Sequence, residues 1–243
     1  MSIGEADQCA YRVRDSSLTL FNHQVTVSKL VVSDLLFKVP RMSWLYLLLK
    51  RGIDICGALL GLFVLALLLP LIALCILWED RGPIFYEQWR VGRHGKLFRI
   101  YKLRSMVVHA DHYLLSDPTL LSIWQQRGKL RHDPRVTRVG RFLRRTGLDE
   151  LPQMLNVLCG EMSLVGPRAV QMSELMAFGE LNELRLLVRP GLTGLWQICD
   201  RSTTTYLQRG LLDSTYMMEC SLLADLYILY KTFPAIIYGS GAF

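Results

Sequence analysis

The sequence predicts an α-rich α+β fold in which one membrane helix joins a small domain. Three observations predict it: an uncharged apolar run over residues 55–78, a single pair of β-prone runs at 84–91 and 97–103, and helical spacing of apolar residues through most of the remainder.

The chain has 243 residues, 51% of them hydrophobic, and a formal net charge of +7. Its mean hydropathy of +0.25 is high for a soluble enzyme, and the apolar run causes much of it. A basic chain favours acidic partners: nucleic acid, anionic headgroups or phosphorylated substrates. Six cysteines occur with no CxxC pair, which excludes a disulfide framework or zinc site by spacing and leaves free thiols in a reducing compartment. Glu5 and Asp7 stand where a cleavable signal would carry basic residues, so no such signal is expected.

Residues 1–40 alternate weakly, carry no motif and end at Pro40, which makes them a short appendage. Residues 41–80 hold the membrane element. The run 55–78 would form a helix about 36 Å long, enough for a hydrocarbon core of about 30 Å. Pro70 lies within it and removes a helix hydrogen bond. Both flanks are basic, with Arg41, Lys50 and Arg51 before and Arg81, Arg90, Arg93, Lys96, Arg99, Lys102 and Arg104 after. The positive-inside rule then puts both ends in the cytoplasm. A helix that bends at Pro70 and returns through one leaflet satisfies both observations, and an ordinary spanning helix with a tolerated proline remains open beside it.

Residues 81–243 form the domain. Arg81-Gly82-Pro83 is a turn, and the two β-prone runs around Gly92-Arg93-His94-Gly95-Lys96 read as a hairpin. Residues 107–130 read as a helix ending near Gly128. Val136, Val139, Phe142 and Leu143 mark another. Residues 151–158, 172–187 and 211–229 complete the helical set.

The strongest chemical signal is Leu148-Asp149-Glu150-Leu151-Pro152-Gln153. Asp149 can cap a helix whose first turn tolerates Pro152. A helix start stabilises a carboxylate and a phosphate beside it. Asp149 is then a plausible nucleophile towards phosphorus, with Glu150 as metal ligand or proton handler. Three further motifs surround this pair: Phe98-Arg99-Ile100-Tyr101-Lys102-Leu103-Arg104-Ser105-Met106, Ser163-Leu164-Val165-Gly166-Pro167-Arg168, and Arg189-Pro190-Gly191-Leu192-Thr193-Gly194-Leu195-Trp196-Gln197.

With four motifs in order, the chain from about residue 50 to 243 resembles the monotopic polyprenyl-phosphate phosphoglycosyl transferases, the bacterial sugar transferases. The resemblance implies a re-entrant membrane helix bent at Pro70, joined to a small cytoplasmic catalytic domain with interfacial amphipathic helices. It implies a bacterial inner-membrane enzyme that takes a sugar 1-phosphate from a UDP-sugar, forms a covalent phosphosugar on Asp149, releases UMP and delivers the group to undecaprenyl phosphate. Mg2+ is the implied cofactor, at Asp149 and Glu150. Lys102, Arg144, Arg168 and Arg201 match motif cations and are the phosphate-binding candidates; guanidinium suits phosphate because it binds bidentately and stays charged. The last third resembles the exopolysaccharide hexose-1-phosphate branch, which points to galactose or glucose.

Three departures from the family pattern are visible. Leu69 replaces a serine before the bend, Ala169 replaces a proline after Gly-Pro-Arg, and Asp200 replaces the glycine before Arg201. The N-terminal membrane bundle of larger relatives is not seen, which implies the minimal form. Arg135, Arg138, Arg141 and Arg145 are expected to face solvent or headgroups. His109 and His112 lack a third ligand and are not expected to hold a metal. A basic protein that recruits nucleic acid would explain the charge but not Asp149-Glu150, so no nucleic-acid partner is expected. A glycosyltransferase that releases UDP would more commonly carry Asp-x-Asp, which is missing. Apolar surface near the C-terminus is open to lipid or to a second copy in a homodimer.

Overall fold

A computed structural model describes residues 42–127, 130, 133–199 and 206–237. The appendage and Arg201 lie outside the described residues.

Helix α1 (Trp44–Glu79) is one continuous element of 36 residues that runs through Pro70. Ser43 starts it by accepting from the Tyr46 N–H at 3.2 Å. At 1.5 Å per residue its contour length is about 54 Å. Its buried residues are Asp54, Ala58, Gly61, Leu65, Ile72 and Ile76, a single stripe at helical spacing. On the other side Leu59, Leu60, Phe63, Leu67, Leu71 and Leu74 are exposed along its length. A Cβ at Gly61 would lie 2.8 Å from Met154 Cγ, so glycine is what lets the helix approach this closely.

Both ends of α1 bond to the same domain. Near the start, Asp54 Oδ1 accepts from Ser163 Oγ at 2.9 Å and from the Leu164 N–H at 2.8 Å. Lys50 Nζ donates to Asp225 at 2.9 Å and to the Val165 carbonyl at 3.0 Å. At the far end the Glu79 carboxylate accepts from the backbone N–H groups of Arg138 (2.6 Å) and Val139 (2.8 Å). Asp80 accepts from the Val108 N–H at 2.9 Å and pairs with Arg104.

The domain begins with the expected hairpin, β1 (Phe85–Val91) antiparallel to β2 (Leu97–Leu103), with Tyr86 opposite Lys102 and Arg90 opposite Phe98. Next come α2 (Ala110–Ser116), α3 (Pro118–Arg127) and α4 (Arg138–Thr146). A 3-10 helix over Leu148–Gln153 leads into α5 (Met154–Cys159). Strand β3 (Ser163–Val165) pairs in parallel with β4 (Gly191–Thr193). Between them lie α6 (Met172–Leu175), a 3-10 stretch (Met176–Leu181) and α7 (Asn182–Arg185); α8 (Leu195–Ile198), α9 (Tyr206–Glu219) and α10 (Leu222–Ile237) follow. Two apolar clusters hold these together. One contains Ala58, Ile100, Val157, Met162, Leu164, Leu181 and Met217; the other joins Leu65, Ile72 and Ile76 to Leu103 and Leu143. Strand β2 contributes to both, so it is fixed from two sides.

Several expectations change in detail. The helix expected over 107–130 is split at Asp117-Pro118, because Asp117 Oδ1 turns to accept from the Thr119 and Leu120 N–H groups and starts a new helix. The helix over 172–187 is interrupted where Gly179 adopts φ 58°. The single helix over 211–229 is instead two, separated at Cys220-Ser221, with Ser221 Oγ accepting from Ala224 N–H. The parallel β3–β4 pair has no counterpart in the sequence reading, since three-residue strands carry too little alternation to register.

Asp54 is the polar anchor of an otherwise apolar stripe. Asp54→Ala should destabilise the protein by about 2–3 kcal/mol, because it leaves the buried Ser163 and Leu164 donors unpaired. Denaturant titration in detergent measures this, and an unchanged midpoint would remove the anchor role.

Candidate active site

The site is assembled where β2, the 3-10 helix and the turn after β3 converge. Asn156 on α5 fixes β2: its Nδ2 donates to the Arg99 carbonyl at 2.7 Å and its Oδ1 accepts from the Tyr101 N–H at 3.4 Å. The next residue, Lys102, then reaches Glu150 Oε1 at 2.7 Å. Arg168 Nη2 meets the same oxygen at 2.8 Å. One carboxylate oxygen therefore holds two cations brought from elements distant in sequence.

Arg168 is itself held. Its carbonyl accepts from Arg185 Nη2 at 2.8 Å, and Arg185 forms a buried ion pair with Asp213. The Pro167 carbonyl accepts from the Gly191 N–H at 2.8 Å, and the Gly166 N–H donates to the Thr193 carbonyl at 2.9 Å. The short parallel pair thus sets the turn that presents Arg168.

Asp149 is buried beside Glu150. It does not cap an α-helix as expected. The capping position is Gly147 in the left-handed region, and Asp149 lies in the first turn of the 3-10 helix. The expected helix over 151–158 begins as an α-helix only at Met154. Burial pushes the Asp149 carboxyl up, and Lys102, Arg144 and Arg168 oppose that without cancelling it. Burial acts on Glu150 too, but the Arg168 and Lys102 charges outweigh it and hold its carboxyl well below the usual range. The two neighbouring carboxylates are pushed in opposite directions, a pattern typical of paired catalytic acids.

Arg144 on α4 is placed by its Nε donating to Ser105 Oγ at 2.8 Å. Burial lowers its pKa, and the Asp149 charge is the foremost effect opposing this. Five of the candidates, Lys102, Arg144, Asp149, Glu150 and Arg168, are therefore brought together. Pro70 lies within α1, and its neighbours Leu69 and Ile72 pack in one apolar cluster with Leu103, Leu143 and Leu148.

One cation escaped the sequence reading. Arg90 is half-buried, with its Nη2 on Gln88 Oε1 at 2.7 Å and its charge felt by Arg168 and Glu150. It had counted only as part of a basic flank. The signal that could have found it is strand alternation: Tyr86, Gln88 and Arg90 share the face on which Lys102 lies across the hairpin. Arg135 corrects another expectation. It is buried and paired with Asp133, Nη2 at 2.7 Å, instead of facing solvent. Arg138, Arg141 and Arg145 are exposed as expected. His109 and His112 pack ring edge to face at 5.9 Å.

The site suits a magnesium ion that shares its shell with substrate. Glu150 Oε2 and both Asp149 oxygens carry no hydrogen bond or ion pair among the described residues. Among those residues no three carboxylate, His or Cys side chains form a cage. Mg2+ commonly takes one or two carboxylates and completes its octahedron with phosphates and water.

Buried Asp149 and partly exposed Glu150 sit among a surplus of fixed cations, an arrangement that suits a phosphate-bearing substrate. The chain belongs to the bacterial sugar transferase family, whose model matches residues 45–239, and it is a transferase. It is 43% identical over 198 residues to the exopolysaccharide production protein ExoY of Sinorhizobium fredii, covering 80% of this chain and 88% of that protein. It is 42% identical to the undecaprenyl-phosphate galactose phosphotransferase of Salmonella typhimurium over 80% of this chain but only 42% of that protein. It is 38% identical to the UDP-glucose:undecaprenyl-phosphate glucose-1-phosphate transferase of Escherichia coli, covering 81% of this chain and 42% of the relative. The chain therefore spans most of ExoY and less than half of the two larger relatives.

The raised Asp149 pKa has a defined consequence if this group must be ionised to act. Activity should fall as pH drops through a value above the ordinary aspartate pKa of about 3.9. Lys102→Met, which removes the foremost cation opposing burial, should move that acid limb to higher pH. A pH–rate profile of kcat/KM measures both; a limb that stays put in Lys102→Met would exclude Asp149 as its source.

Proposed function

We propose that this enzyme transfers a sugar 1-phosphate, from UDP-galactose or UDP-glucose, to undecaprenyl phosphate and so initiates exopolysaccharide or glycoconjugate synthesis. The observation that carries this reading is Asp149, buried and without a side-chain hydrogen bond among the described residues, next to a Glu150 clamped by Lys102 and Arg168. The names of the relatives support the same acceptor and the same two hexoses.

In this mechanism Asp149 Oδ attacks the β-phosphorus of the UDP-sugar. The new O–P bond forms as the bond from that phosphorus to the bridging oxygen breaks, and UMP leaves with the electron pair. An oxygen of undecaprenyl phosphate then attacks the same phosphorus, freeing Asp149 and giving the polyprenyl diphosphate sugar. Lys102, Arg168, Arg144 and Arg90 offset the charge that would otherwise repel an anionic attacker, and Arg201 is proposed to join them. Glu150 fixes Lys102 and Arg168 in advance, so little reorganisation accompanies reaction. A magnesium ion held by Asp149 and Glu150 would neutralise diphosphate charge as the leaving group departs.

For the membrane helix we propose the re-entrant arrangement in the cytoplasmic leaflet of the inner membrane. Asp54 near one end and Glu79 near the other bond to the same domain, and one side of α1 is exposed and apolar throughout. A spanning helix would separate its ends by the bilayer. Trp44 and Trp78, both exposed, suit the two points where the chain meets headgroups. Helix α10 exposes Leu223, Leu226, Tyr230 and Phe233 as a stripe that fits the interface, and α4 exposes Phe142 among its arginines. A homodimer through the α10 stripe is the competing use of that surface.

Purified enzyme with Mg2+, UDP-hexose and undecaprenyl phosphate should release UMP, and chelation should stop turnover; UDP as product would exclude phosphosugar transfer. Asp149→Asn should lower turnover by at least about 10³-fold and abolish a phosphosugar adduct in intact-protein mass spectrometry. Glu150→Gln should slow turnover while some adduct still forms. An adduct that persists in Asp149→Asn but not in Glu150→Gln would reverse the two roles. Cysteines placed just before Lys50 should resist an impermeant periplasmic reagent in intact cells, and labelling there would exclude the re-entrant helix.

A further inference from the structure

At the end of α5 away from the catalytic dyad, three arginines gather that the transfer mechanism does not use. Arg51, on α1, donates Nη1 to the Val157 carbonyl at 2.7 Å and Nη2 to the Leu158 carbonyl at 2.8 Å. Arg189, the first residue of the Arg189-Pro190-Gly191 motif, is half-buried and makes no ion pair among the described residues. Arg93 leans towards them from the hairpin loop, its Nε on the Leu187 carbonyl at 3.0 Å.

Two of these guanidinium groups converge on one spot. A Cβ built on Gly160 would lie 3.6 Å from Arg51 Nη2 and 3.9 Å from Arg189 Nη2, and its three nearest atoms all belong to those two side chains. Gly160 has φ 82°, so the position is bare backbone that a side chain would rarely occupy. An N–H···O–P hydrogen bond places nitrogen and phosphorus about 4 Å apart, so a phosphate seated just outside this point meets both groups. Burial and the nearby Arg51 and Arg93 charges lower the Arg189 pKa, and the Asp54 carboxylate offsets this only in part.

Exposed apolar side chains border the cluster on α1 and α5. Leu48, one turn before Arg51 on α1, is exposed, as is Leu59 further along the same flank, and Leu155 is exposed on α5. A small ion has no use for such a border, but acyl chains do.

We propose that Arg51, Arg189 and Arg93 form a binding site for the phosphate of an anionic membrane lipid, seated over Gly160 and separate from the acceptor's site at the dyad. The lipid would neutralise the arginine cluster and fix α1 against α5 at the headgroup level. This rests on the membrane placement of α1 given above.

The full chain, in nanodiscs of phosphatidylcholine containing a minor fraction of phosphatidylglycerol, tests it by native mass spectrometry. Wild type should retain phosphatidylglycerol preferentially over phosphatidylcholine. Arg189→Gln should lower that retention about fivefold, as expected for loss of one basic contact. Arg93→Gln, at an exposed position, should act in the same direction and guards against misfolding of the first variant. Equal retention in wild type and both variants would overturn the site. So would displacement by inorganic phosphate, which would make it a free-ion site, or by undecaprenyl phosphate, which would make it part of acceptor binding. Failure of wild type to enter nanodiscs of either composition would instead count against the membrane placement itself.

Discussion

The architecture depends on one carboxylate in an apolar helix. Burying Asp54 unpaired would cost several kcal/mol, and the helix avoids this only where Asp54 meets Ser163 and the Leu164 N–H. That requirement fixes both the rotation of α1 and its position along its own axis. A turn of one residue, about 100°, would carry Asp54 away from β3 and put Ile55 in its place. With the register fixed, Gly61 falls under Met154, Leu65 and Ile72 fall beside Leu103 and Leu143, and Glu79 arrives at the unpaired N–H groups that begin α4. Helix α1 and the frame of the candidate site are in this sense a single packing solution.

The site lies downstream of that frame. β3 is tied to α1 on one side and to β4 on the other, and the turn that follows it carries Arg168. α4, capped from α1 by Glu79, carries Arg144. β2, fixed by Asn156, carries Lys102. Each cation reaches the dyad from a different support, and Glu150 is the point at which two of them meet. The resulting surplus of positive charge is tolerable because it is spread over separate elements.

Much of this was legible in the sequence. The apolar run, the hairpin and the motif residues could be read because each depends on local pattern: hydropathy, alternation and short fixed spacings. Asp149 and Glu150 were named that way, Lys102, Arg144 and Arg168 through the family resemblance, and they do come together. What escaped depends on long-range geometry. Arg90 looks like any basic flank residue until β1 is laid against β2. Arg135 looks solvated until Asp133 folds back to it. The β3–β4 pair joins segments of three residues, too short for a period to be seen. The helix boundaries shifted where side chains such as Asp117 and Ser221 compete for backbone N–H groups, a local contest that apolar spacing does not report.

The Lys50–Asp225 ion pair has a consequence for how the protein is made. The two partners are 175 residues apart in the chain. Ribosomes add roughly 5–20 residues per second, so α1 emerges some tens of seconds before its partner exists. For the first 115 of those residues the carbonyl of Val165 is missing as well. Through that stretch the Lys50 ammonium can be satisfied only by water or by whatever binds the nascent chain. Only the arrival of α10 closes the ion pair, so α1, made early, is completed by one of the last elements to be made.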